Sequence, residues 1–250
     1  MMTSKVKQYK EAYVWIWLPG AIKPVVAGVL TPENSVLLFN YGQSYLGNKK
    51  AISLFEAELP LQQGALPLLN GLALPNCIRD ASPDAWGRRV IINKTMGLKQ
   101  KDIDPVELDE LTYLLESGSD RIGALDFQQS PDTYVARQAN NATLAELLES
   151  AQRVEDGVPL TPELDQALNH GSSIGGARPK ALIEDNEHKY IAKFSSISDT
   201  YSVVKAEYIA MKLASMTGLN VAPVMLRKVS GKDVLLIERF DRKLTDQGWI

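Results

Sequence analysis

Two hundred and fifty residues, 45% hydrophobic and 23% charged, make an ordinary globular composition, enough for one large domain or two modest ones. A net charge of −3 gives no global electrostatic case for binding nucleic acid, and a single cysteine, Cys77, excludes an internal disulfide. With only His170 and His188 beside it, no metal-ligand spacing appears. The apolar stretch Tyr13–Leu18 is too short for a signal core or a membrane span, so a cytoplasmic location without membrane attachment is the expectation.

Tyr13–Leu18 and Val25–Leu30 read as short strands around the turn "PGAIKP", and Val36–Tyr41 as a third. A helix over 82–96 starts at "SPDAWGRRVIINKTMG", with Ser82 as N-cap, Pro83 at the first helical position, Asp84 in the first turn and Gly97 past the end. Asp104 and Thr143 cap further helices in "DPVELDELTYLLESG" and "TLAELLESAQRVEDG", and "TPELDQAL" makes a short one. Trp86 reads as a core anchor, Arg88 and Arg89 as solvated charges, and Cys77 as a small buried hydrophobe. A boundary in 157–170 divides the chain into 1–156 and 157–250.

Beyond Gly171 the pattern becomes strand, strand, helix, strand, strand. Ala181–Glu184 and Lys189–Phe194 flank "DNEH" as a hairpin, Tyr201–Thr217 reads as a helix ended by Gly218, and two strands surround the turn at Ser230–Lys232. The whole is α+β.

The chemistry gathers in this second half. "GSSIGGARPKALI" brings two glycines, two serines and two cations together just before a strand, from Ser172 to Lys180. Glycine leaves backbone N–H groups uncovered, and uncovered N–H groups beside cations suit a phosphate; a solvated β-turn is the plain alternative. Lys193, on the strand "KYIAKF", is either an edge gatekeeper or a buried cation. Glu207 falls on or beside the helical stripe Val203, Ala206, Ala210, Leu213, Thr217. A carboxylate there needs a cation, and Lys193 on the preceding strand is the natural one. Gly-rich loop, strand lysine and helix glutamate, in that order, form the front half of a protein-kinase nucleotide site.

The stretches "ASPDAWGRRVI", "DRIGALDF", "GSSIGGARPKALI", "YIAKF", "KAEYIAMKLASMTGLNVAP" and "LLIERFDR" resemble the HipA family of bacterial toxin serine/threonine kinases. The resemblance implies a β-rich N-terminal subdomain with helices, followed by the N-terminal lobe of a protein-kinase-like fold. It implies an ATP-dependent kinase working with Mg2+, a helix-turn-helix (HipB-like) antitoxin as partner, and contact with DNA only through that antitoxin. It also implies a translation-related protein substrate such as an aminoacyl-tRNA synthetase. The phosphate-covering loop falls on Gly175, Gly176, Ala177, Arg178, Pro179 and Lys180, the phosphate lysine on Lys193 with Glu207 orienting it, and adenine contacts on Glu238 and Phe240. Ser173 matches the loop serine whose autophosphorylation silences the family's kinases, and it is expected to be the hydroxyl most exposed to modification.

The family's catalytic aspartate, following asparagine and metal-binding aspartate lie further along than Ile250, and no His-x-x-Asn or Asp-Asp-His motif occurs here. The expectation is a chain that lacks the catalytic loop and is inactive by itself. The alternatives are a non-catalytic nucleotide-binding or antitoxin-binding module from a shortened or split gene, and a small-molecule kinase with the same lobe.

Overall fold

The computed structural model describes residues 8–96, 108–137, 142–168 and 172–250. The first half is built on β1 (Ala12–Ile16), β2 (Val25–Glu33) and β3 (Val36–Tyr41), followed by the short helix α1 (Gln43–Leu46), β4 (Ala65–Leu66) and α2 (Asn76–Asp80). Helices α3 (Ala85–Met96) and α4 (Glu110–Glu116) lead to β5 (Leu125–Gln128). These strands form one antiparallel sheet in the order β4-β3-β2-β1-β5. Alternation places Ala12, Val14 and Ile16 in a core with Leu30, Phe39 and Phe127, and Leu111, Leu114 and Leu115 of α4 pack against them. Gly28 is where two strands press closest: a Cβ there would stand 2.1 Å from the Asn40 carbonyl oxygen, so only glycine fits.

The second half begins with α5 (Leu144–Glu155) and α6 (Pro162–Leu168). Then come the hairpin β6 (Lys180–Glu184) and β7 (Lys189–Phe194), helix α7 (Val203–Met216), the hairpin β8 (Val224–Val229) and β9 (Lys232–Glu238), and the short pair β10 (Leu244–Thr245) and β11 (Gly248–Trp249). The second sheet is antiparallel in the order β6-β7-β9-β8. One of its faces packs Ala181, Ala192, Phe194, Val234 and Leu236 against Leu147, Leu148, Ala151 and Val154 of α5 and against Trp86 and Val90 of α3. The second core thus recruits two helices from before residue 157.

The strands and hairpins stand where alternation and turn residues put them, and Thr143 with Glu146 forms a complete capping box on α5. Other caps differ. Asp104 and Gly97 lie outside the described residues, and α4 is capped by Asp109, which accepts from the Thr112 N–H. Helix α3 starts at Ala85, with Ser82 donating its hydroxyl to Glu110 and Asp84 turned toward the second half of the chain. Arg88 is not simply solvated: it bonds Glu110 at 2.5 Å and lies over the Tyr113 ring. Trp86 is fully buried, and Cys77 is partly buried, its thiol pushed up to about 11 chiefly by that burial. Among the described residues no helix is long and apolar enough to cross a membrane.

Candidate nucleotide site

Lys193 and Glu207 meet, Nζ to Oε1, at 2.6 Å. The pairing is as expected, but the helix face that delivers it is not. Helix α7 packs through Val204, with Tyr208 and Met211, against Val224, Leu235 and Ile237. Ala206, Ala210, Leu213 and Thr217 of the expected stripe are exposed. Glu207 therefore sits at the margin of the packed face, half-buried, within reach of a strand lysine that is also half-buried.

Above this pair the chain from Gly175 to Arg178, with Lys180, Lys193 and the isoleucines at 122, 174 and 191, encloses a cavity of about 460 Å³. Register explains its charge, because Lys180 on β6 lies directly across from Lys193 on β7. Lys180 is only 4% exposed and its amine has no hydrogen-bond partner among the described residues. Burial, and then the neighbouring Lys193, push its pKa down to about 8. Gly176 has φ +110°, a conformation that demands glycine, and a Cβ there would come within 2.8 Å of the Lys180 amine, at the movable end of its side chain. The Pro179 carbonyl accepts from the Phe194 N–H and closes the loop onto β7, while Arg178 bonds Asp199 just past that strand.

A larger cavity of about 550 Å³ lies between the turn at 17–24, Tyr134 and Trp249. Lys189 and Arg242 in its wall both bond Asp120, and Arg242 bonds Asp241, while Lys23, the other lysine that lines it, is solvent-exposed. An incoming anion finds a buried amine without a hydrogen-bond partner among the described residues under the glycine loop, whereas here Lys189 and Arg242 are matched and Lys23 is exposed to water, so the smaller cavity is the better site for one.

The remaining expected residues separate from this group. Glu238 ends β9, its N–H bonded to the Pro223 carbonyl, and Phe240 is 92% exposed; neither lines the cavity. Ser173, expected to be exposed, is buried, and its hydroxyl donates to the Asp120 carbonyl at 3.4 Å. The loop's fold turns its first residues inward, toward the segment after α4. Contacts with α3 escaped the sequence reading altogether, as did a cluster in which Asp120 accepts from Lys189, Arg239 and Arg242. A signal for the cluster was present: "DRIGALDF" and "LLIERFDR" are two of the stretches that carry the resemblance, and it joins them.

No group of three or more His, Cys, Asp or Glu suited to a metal occurs among the described residues. Asp199 and Asp241 are committed to arginines. These residues do not fit a magnesium site, and no chemistry is assigned to one here.

A family model described as the HipA N-terminal domain matches residues 17–128, and one described as the HipA-like C-terminal domain matches residues 172–248. No curated protein matches the chain. A solved structure similar to it is HipA of Shewanella oneidensis MR-1, from the complex of that toxin–antitoxin system's HipA and HipB with operator DNA. The two are 20% identical with a TM-score of 0.49 over 93% of this chain and 52% of that one, so the chain spans about half the length of the solved protein. Two domain models of one family, in chain order and together covering most of the sequence, lead to one conclusion: the chain belongs to the HipA family.

Proposed function

We propose that residues 172–250 hold ATP by its phosphates, as the nucleotide-binding part of a serine/threonine-protein kinase of a toxin–antitoxin system. One observation carries the reading. The Lys193–Glu207 pair lies beneath a glycine loop, at a cavity whose second lysine, Lys180, has no hydrogen-bond partner among the described residues. Glu207 fixes the Lys193 amine, Lys180 adds positive charge, and the glycines let backbone approach a phosphate closely, while the charge of Arg178 is offset by Asp199. Family membership supports a helix-turn-helix antitoxin as partner, and a translation-related protein such as an aminoacyl-tRNA synthetase as phosphoryl acceptor. Binding, rather than transfer, is what the proposal assigns to these residues.

Calorimetric titration of the chain with ATP tests it. ATP should bind, adenosine should bind far less well, and Lys193→Ala should weaken ATP by about tenfold or more, the scale of a lost charge-assisted contact. ATP affinity unchanged in Lys193→Ala would sink the reading.

A further inference from the structure

We infer that Asp84 and the first turn of α3, Ala85 to Gly87, together clamp the 172–180 loop over the cavity, and that Asp84 is a positioning residue for nucleotide binding. The inference rests on the nucleotide reading above.

The turn grips the loop at its start, middle and end. At the start, a Cβ on Gly87 would stand 2.1 Å from the Ser172 carbonyl oxygen, so helix and loop are flush. In the middle, both backbone groups of Gly176 are taken: its N–H donates to Asp84 Oδ2 at 2.6 Å and its carbonyl accepts from the Trp86 N–H at 3.1 Å. At the end, the Trp86 indole donates to the Lys180 carbonyl at 2.9 Å. Trp86 is fully buried in the second core, so the turn is anchored to a rigid body. A glycine pair has more backbone freedom to lose than any other, and a ligand that must order it binds more weakly by that cost. The clamp orders the loop before the ligand arrives.

Asp84 exerts two opposed effects. Its bond holds Gly176, while its charge, near a cavity meant for phosphate, repels the ligand. The carboxylate is exposed, so water and salt screen the repulsion, and the ordering effect dominates. Asp84→Asn keeps an acceptor and removes the charge; Asp84→Ala removes both.

The test combines ATP and adenosine titration with amide hydrogen exchange over 172–180 in the full chain. Asp84→Ala should speed exchange in the loop about tenfold without changing it in β1–β5, and should weaken ATP about fivefold while leaving adenosine unchanged. Asp84→Asn should recover wild-type ATP affinity or slightly exceed it. Loop exchange that does not rise in Asp84→Ala, or ATP affinity that holds or improves there, overturns the clamp. ATP binding lost in Lys193→Ala but untouched in Asp84→Ala overturns the clamp alone. A wild-type chain that binds no ATP overturns the reading of the site, and the role of the clamp with it.

Discussion

The amine of Lys180 is the residue-scale feature with the sharpest consequence. Burial first, and Lys193 second, hold its pKa near 8, below the unfolded value of 10.5. Below pH 8 the lysine is charged in both states, and the cost of burying it is fully present. Between 8 and 10.5 the folded chain binds fewer protons than the unfolded one, so this group's contribution to stability rises with pH. Lys180→Met should therefore stabilise the chain at pH 7 by on the order of 2 kcal/mol. That gain should fade as pH approaches 10.5. Urea unfolding at pH 7 and pH 10 measures the difference, and an equal gain at both would contradict the buried-cation account. A phosphate beside the amine would raise its pKa again, so ATP binding near pH 8 should take up protons. Titrations in two buffers of different ionisation enthalpy would report the uptake, and Lys180→Met should abolish it.

At the scale of elements, α7 and α5 show what local pattern determines. The capping box of α5 is local in sequence, three residues apart, and was legible as such. Thr143→Ala should lower stability by about 1 kcal/mol in thermal or urea unfolding. In α7, apolar residues occur on more than one side, so periodicity alone could not choose between the stripe at Val203, Ala206 and Ala210 and the one at Val204, Tyr208 and Met211. The choice is made by Val224, Leu235 and Ile237 on strands downstream of the helix. Val204→Ala should cost about 1–3 kcal/mol in unfolding free energy. Met216→Ser, at a position 82% exposed, should stay within about 0.5 kcal/mol. Lys193 and Glu207 pair although the stripe that suggests it is not the packed one, because a strand lysine and a marginal glutamate meet with either stripe buried. Ser173 was misjudged for a related reason: composition marks a loop as polar, but whether its hydroxyl meets solvent depends on a segment more than fifty residues earlier in the chain.

For the molecule as a whole, the cluster around Asp120 ties the segment between α4 and β5 of the first half to β7 and to the end of β9. Lys189 reaches Asp120 at 2.6 Å, Arg239 at 2.9 Å and Arg242 at 3.1 Å, and Arg239 also bonds Asp241 at 2.7 Å. Burial alone would raise both carboxyls; the cations overcome it, Arg239 first for each, and hold both below the usual range. A carboxyl with a depressed folded pKa stabilises the fold above about pH 4, and that contribution disappears as pH falls through the folded value. Asp120→Asn should cost about 3 kcal/mol at neutral pH, because buried cations lose their partner. Its melting temperature should also fall less steeply than the wild type's between pH 5 and pH 2. Parallel acid profiles in the two proteins would refute the role of the cluster.

The Trp86–Lys180 bond has a bearing on time as well as on shape. Its two residues are 94 positions apart in the chain. During synthesis at about 5–20 residues per second, Trp86 waits roughly 5–20 s before its acceptor exists. Val90 waits about as long for strands β6 and β7. The helix that steadies the glycine loop in the finished molecule therefore carries, at its birth, two apolar side chains, Trp86 and Val90, whose partners on the second sheet are not yet made.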